Sequence, residues 1–204
     1  MESYGPNKLI KRRRHGVRLI KTLADQFGDN EMKDLKNDIL DCFDLLINQD
    51  GNLFECPLEI NAPYDERKLH EVCINHRLAK HFENVITPKL KPEKYYVDIE
   101  FNREGINFKD LKYNGKEDRV RPDIIIHNRR SGDKKENFLV VECKKEDAPE
   151  PDKIKDLAKL EAFITDQKYQ YKFGLQVIYG RQQVRGTLIY EDKGDIVKED
   201  LERS

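Results

Sequence analysis

A mixed α/β fold is what this sequence predicts, and three observations predict it. Apolar residues recur at helical spacing up to Ile86, the period drops to two after Pro88 and Pro92, and beyond that point short aliphatic strands bracket one polar amphipathic helix. In chain order, Val17, Leu19, Ile20, Leu23, Ala24 and Phe27 mark a first helix that Gly28 stops. Leu35, Ile39, Leu40, Cys42, Phe43, Leu46 and Ile47 mark a second, from about Glu31 to Asn48, with Gly51 behind it. The two read as a helical hairpin. The stretch from Asn52 to Asp65, with Pro57 and Pro63, reads as an irregular connection. A third helix is expected from Asp65 to about Ile86, where the prolines end it.

Strands are expected at Tyr95–Phe101, Asp123–His127, Phe138–Cys143, Phe173–Tyr179 and Thr187–Tyr190. Between the third and fourth lies a helix from about Pro151 to Asp166, whose apolar side is read as Ile154, Leu157, Leu160, Phe163 and Ile164. The division that follows is a basic arm and helical hairpin extension over 1–62, a core over 63–190, and a charged C-terminal tail over 191–204.

The 204 residues suffice for one sizeable core, and 37% hydrophobic against 38% charged residues describes a polar but folded chain, not a disordered one. With 38 basic and 39 acidic side chains the net charge is −1, so attraction to a polyanion has to be local. No stretch approaches the roughly 18 apolar residues of a membrane helix, and no apolar leader opens the chain, so a cytoplasmic protein without membrane partners is expected. Cys42, Cys56, Cys73 and Cys143 lack CxxC spacing and read as reduced thiols of the core.

Chemistry concentrates between Arg121 and Lys144. Arg121-Pro122-Asp123 opens an aliphatic run, a polar turn follows around Ser131-Gly132-Asp133, and a second aliphatic run ends in Glu142-Cys143-Lys144. Pairing of the two runs as a hairpin sets Asp123 opposite Glu142, and strand alternation puts Glu142 and Lys144 on one face with Cys143 on the other. Two adjacent carboxylates repel unless one is protonated or a cation lies between them, and hard oxygen donors suit Mg2+ or Mn2+. Such an ion lowers the pKa of bound water, and a neighbouring ammonium neutralises developing charge, which is the chemistry of phosphodiester hydrolysis. The bland reading is a surface hairpin with an ordinary salt bridge.

A further carboxylate lies upstream. On the third helix Glu71 falls within the apolar arc of Val72, Ile74, Leu78, Ala79, Phe82, Val85 and Ile86, with Asn75 one turn later. Buried and uncompensated, its charge would cost several kcal/mol, so Glu71 titrates, pairs with a base or ligates an ion.

A helix with an inward glutamate, a strand, an RPD-strand, a turn and a strand ending in ECK together resemble the PD-(D/E)xK, restriction endonuclease-like nucleases. The run from Glu71 to about Tyr179 follows their core order. His76-Arg77-Leu78-Ala79, Asp98-Ile99-Glu100-Phe101-Asn102-Arg103 and Arg121-Pro122-Asp123 are similar to small bacterial and phage-linked members. The resemblance implies a restriction endonuclease-like core with a mixed central sheet flanked by helices. It implies that Asp123, Glu142 and the main-chain carbonyl of Cys143 bind Mg2+ or Mn2+, that Glu71 joins them directly or through water, and that Lys144 assists the attacking water. DNA is the expected substrate, with a 5′-phosphate product and a setting in phage defence, mobile-element biology or repair. An RNA endonuclease using the same metal site, or a nuclease-like domain that binds nucleic acid or protein without cutting, are the alternatives. A homodimer or a specificity-conferring partner is left open.

Other residues are weighed less heavily. Asp98 and Glu100 share a strand face and are read as salt-bridge acids before second-metal ligands. His127 lies too far along its strand to reach the ion at Asp123, His76 sits at a polar helix edge, and Gln167 with Tyr171 gives the QxxxY spacing of some exonuclease relatives. Lys11 to Arg14, Lys134, Lys135, Lys145, Arg181 and Arg185 are candidate phosphate contacts.

Overall fold

The structure is a computed structural model and describes residues 29–54, 71–90, 94–104, 107–129, 137–180 and 183–202. The first predicted helix, the connection around Pro57 and Pro63, the turn at Ser131-Gly132-Asp133, Lys11 to Arg14, Cys56, Lys134, Lys135 and Arg181 lie outside the described residues.

Among those residues there are three α-helices: α1 (Asp29–Asp50), α2 (Glu71–Val85) and α3 (Glu150–Thr165). A six-stranded sheet is built from β1 (Tyr96–Ile99), β6 (Ile124–His127), β7 (Asn137–Lys145), β8 (Phe173–Tyr179), β9 (Val184–Asp192) and β10 (Asp195–Leu201), in that order across the sheet. Only β7 and β8 are parallel, as the α3 crossover between them requires, and the other four pairings are antiparallel. Two small ribbons, β2 (Arg103–Glu104) with β3 (Asn107–Phe108) and β4 (Asp110–Tyr113) with β5 (Lys116–Arg119), stand outside it. The result is the mixed α/β architecture expected, with a mostly antiparallel central sheet flanked by helices.

Strand alternation divides the core in two. Ile124, Ile126, Leu139, Val141, Cys143, Phe173, Leu175 and Val177 face α1 and α2, which contribute Leu35, Ile39, Phe43, Leu46, Ile74, Leu78 and Phe82. Ile125, Val140 and Ile189 project the other way, against Leu160, Phe163 and Ile164 of α3 and against Leu111, Tyr113 and Val120 around the β4–β5 ribbon. Buried on both faces, β6 carries Ile124–Ile126 and β7 carries Phe138–Val141 as continuous apolar runs. At Gly174 of β8 an added Cβ would stand 3.1 Å from Leu160 Cβ, so the glycine lets α3 approach the sheet closely.

Where both bounds are described, helices and strands fall within a few residues of expectation; the start expected for the third helix, Asp65, lies outside the described residues, and the β2–β3 and β4–β5 ribbons are additional to it. Other differences concern placement. The helix read as one half of an N-terminal extension, α1, packs into the same apolar cluster as α2 and the sheet. Residues 195–201 of the segment read as a tail form β10, an edge strand whose polar alternation hid it. Its exposed charges are tied inward by Lys198 to Glu161 (2.5 Å), Tyr190 to Glu199 (2.7 Å) and Thr187 to Asp200 (2.9 Å). Ile154, read as core, is 57% exposed, and the buried stripe of α3 runs instead through Asp156, Leu160, Phe163 and Ile164. Cys42 and Cys143 are buried thiols as expected, whereas Cys73 is exposed. No helix among the described residues is long and apolar enough to cross a membrane.

Candidate active site

The hairpin register is Ile124 opposite Val141, Ile125 opposite Val140 and Ile126 opposite Leu139, before a bulge shifts it at His127. One step beyond the first pair, Asp123 stands beside the end of β7, where the Cys143 N–H donates to its Oδ2 at 2.7 Å. The Glu100 N–H donates to the Asp123 carbonyl at 2.9 Å and fixes its backbone.

Glu142 and Lys144 share the strand face of Val140, which is the α3 face. That alternation brings two residues of α3 into the site that sequence reasoning passed over. Lys159 Nζ donates to Asp156 Oδ1 at 2.7 Å and lies 3.5 Å from Glu142 Oε2. Lys144 Nζ lies 3.1 Å from Asp156 Oδ2, donates to the Cys143 carbonyl at 3.1 Å, and lies 3.8 Å from Glu71 Oε1. Glu71 therefore meets the group through the Lys144 ammonium. Four carboxylates and two ammoniums interleave around the ends of β6 and β7.

Behind Cys143, on the opposite sheet face, the Tyr179 hydroxyl lies 2.9 Å from Asn75 Oδ1 and 3.2 Å from Cys143 Sγ, and all three residues are buried. Asn75, on the arc shared with Glu71, is thus part of the floor under the strand end. Gln176 stands beside Glu142 across the parallel pairing and donates to the Lys153 carbonyl at 2.7 Å, which ties β8 to the first turns of α3.

The electrostatics are those of too many acids in too little water. Glu142 is 3% exposed, its Oε1 has no hydrogen-bond partner among the described residues, and burial, then Asp123 and Asp156, push its pKa up to about 8 against the pull of Lys159 and Lys144. Burial also raises Asp123, opposed by its bond from the Cys143 N–H, and raises Glu71, opposed by Lys144. Burial disfavours the charge on Lys144, but Asp156, Glu71 and Asp123 outweigh it and hold the ammonium above its ordinary pKa. Lys159 is held up likewise by Glu142 and Asp156.

Hard oxygen donors of this kind suit a divalent ion, and the buried, unpartnered Glu142 Oε1 is the observation that makes the residues present fit one. Among the described residues no three acid, histidine or cysteine side chains converge as a ready metal cage. The donors that fit are Asp123, Glu142 and the Cys143 carbonyl, the last of which the Lys144 ammonium now occupies.

The remaining candidates fall elsewhere. His127 Nε2 is 2.8 Å from Asp98 Oδ2, and Arg129 binds the same carboxylate from Nε at 2.7 Å. Glu100 Oε2 pairs with Arg121 Nη1 at 3.3 Å. His76 is exposed, and Arg77 donates to Asp50 Oδ1 at 2.6 Å. Tyr171 is buried in the α3-side cluster, where its hydroxyl accepts from Lys109 Nζ at 3.2 Å. Arg185 pairs with Glu146 at 2.9 Å. Asp156 was legible by the argument that singled out Glu71, since it lies four residues before Leu160 and seven before Phe163. Counting Ile154 as core turned the apolar arc of α3 away from it.

No protein-family model matches the sequence, and searches of curated proteins and of solved structures gave no match.

Proposed function

We propose that this chain is a nuclease with a restriction endonuclease-like core that hydrolyses DNA phosphodiester bonds with Mg2+ or Mn2+. The observation that carries the reading is Glu142: an acid almost wholly out of water, with one oxygen that has no hydrogen-bond partner among the described residues and with Asp123 and Asp156 disfavouring its charge. Nothing in a purely structural salt-bridge network calls for so many acids in one place, and a divalent cation relieves it.

Asp123, Glu142 and the Cys143 carbonyl would hold the ion, with Asp123 oriented by its bond from the Cys143 N–H. The bound ion would supply an activated water and neutralise charge on the scissile phosphate. Lys144, kept protonated by Asp156 and Glu71, is suited to stabilise negative charge on the phosphate and to orient the water, and is unsuited to act as general base. Glu71 and Asp156 aim that ammonium from two sides. The Tyr179–Asn75 contact under Cys143 keeps the strand end, and so the carbonyl, in place.

The test is cleavage of supercoiled, linear and single-stranded DNA and of RNA with Mg2+, Mn2+ or EDTA, using wild type, Asp123→Ala and Lys144→Ala. Metal-dependent cutting of DNA, lost in both variants, is expected. Cutting of RNA alone would transfer the site to an RNA endonuclease, and a folded wild type that binds nucleic acid and cuts none would make this a binding domain.

A further inference from the structure

The two lysines of the site are not placed alike. Lys144 lies at the end of β7, against the Cys143 carbonyl, Asp156 Oδ2 and the half-buried Glu71. Lys159 reaches in from α3, with its ammonium between Asp156 Oδ1 at 2.7 Å and Glu142 Oε2 at 3.5 Å. Both acids flanking Lys159 are buried, at 2% and 3% exposure. A position between two buried carboxylates attracts a cation, and here an ammonium tethered to the fold fills it. Glu142 thus presents two different oxygens: Oε2 toward Lys159, and Oε1, buried without a hydrogen-bond partner among the described residues. With all four ionised, the carboxylates exceed the two ammoniums among the described residues by two negative charges, which one divalent ion would neutralise.

We propose that Lys159, braced by Asp156, stands in for a second cation, so that the site takes a single divalent ion on the side of Asp123, Glu142 Oε1 and the Cys143 carbonyl. The inference rests on the metal-dependent reading above and assigns its stoichiometry to this chain's own residues. Lys159 is here a positioning residue: it holds Glu142 by one oxygen and leaves the other for the ion.

The experiment counts Mn2+ ions bound by the full chain, by calorimetric titration and by the loss of the free-ion paramagnetic resonance signal, with Asp123→Ala as the blank for surface sites. Wild type is expected to bind one ion above the blank. Lys159→Met, which empties the position between the two buried acids, is expected to bind two, Lys159→Arg one, and the double variant Asp156→Asn/Lys159→Met one, because its second position has lost a ligand. Two ions on wild type, or one on a folded Lys159→Met, would overturn the inference while leaving a metal site in place. No ion above the blank on folded wild type would instead remove the metal-dependent reading itself. Two ions on wild type would overturn the inference even if Lys159→Met fails to fold.

Discussion

The β1–β6–β7 part of the sheet carries acids at both ends, and the two ends treat them oppositely. At one end Asp98 takes His127 Nε2 at 2.8 Å and Arg129 from two nitrogens; although burial disfavours its charge, those bonds hold its pKa well below the ordinary carboxylate range. At the other end Glu142, Asp123 and Glu71 are all raised, burial being the first cause in each case. Both ends are partly or wholly out of water and both contain basic side chains, so burial alone does not distinguish them. The balance of acids to bases does. One carboxylate shared by an imidazole and a guanidinium is a closed account, and four carboxylates around two ammoniums is a site that still lacks positive charge.

The largest expected effect separates the ends by activity. Glu142→Gln keeps the shape of the side chain, removes the charge of a proposed metal ligand, and should lower the proposed cleavage by at least roughly 10²–10³-fold without unfolding the protein. Asp98→Asn should leave kcat within about twofold. If Asp98→Asn abolished cutting in a folded protein, the division between a structural end and a reactive end would fail. In urea unfolding the ranking should invert: Asp98→Asn, which weakens the contacts with buried His127 and with Arg129, is expected to cost about 1–3 kcal/mol.

The pH dependence of stability should also run in opposite directions. In metal-free protein Glu142 keeps its proton up to about pH 8 when folded but releases it near 4.5 when unfolded, so the native state binds more protons between these values. Stability from this group is therefore full below about pH 4.5 and declines as pH rises to about 8; Glu142→Gln should flatten that decline. Asp98 is depressed in the fold, so its contribution is present above its unfolded value near 3.8 and is lost as pH falls below that. Thermal melts in EDTA across pH 3 to 9 would show both limbs. A metal-free wild type that gained stability from pH 5 to 8 relative to Glu142→Gln would contradict the electrostatic picture of the site.

A smaller effect is expected at Gly174. An added Cβ would stand 3.1 Å from Leu160 Cβ and 3.3 Å from Ile164 Cδ1, so Gly174→Ala must push α3 outward by a few tenths of an ångström. Overpacking of this kind costs about 1–3 kcal/mol, and because Asp156 and Lys159 ride on α3 it should reduce cleavage as well. The same push leaves the Asp98 end untouched, so His127 and Arg129 should keep their bonds.

How much of this could be read from the chain follows from where the signals are local. Asp123, Glu142 and Lys144 were legible because charges interrupting continuous aliphatic strands are conspicuous, and because alternation and a roughly symmetric hairpin fix which side chains meet; the observed Ile124–Val141 register is the one that symmetry gives. Glu71 was legible from helical period, though its contact with Lys144 was not. Asp156 and Lys159 depend on which face of β7 meets α3 and on the rotation of α3, and an exposed Ile154 turned that rotation the wrong way in the sequence reading. β10 and the two ribbons were missed for a different reason. The ribbon strands are only two to four residues long, and β10 is polar and only partly buried, so tertiary pairing rather than local pattern selects them.

The smallest expected effect lies on the border between the two ends, at Arg121. Its guanidinium pairs with Glu100 at 3.3 Å, is 58% exposed, and sits two residues from Asp123. Surface pairs of this kind contribute about 0–1 kcal/mol, so Arg121→Ala should barely move the urea midpoint. If the arginine only braces the strand end, the salt dependence of DNA binding stays as in wild type; if the reactive end extends to it as a phosphate contact, the slope of log K against log salt becomes shallower by about one. Its half-exposed pairing with a single acid places it with the closed end, so an unchanged slope is the expected result, and a shallower one would move the edge of the nucleic-acid surface across the RPD turn.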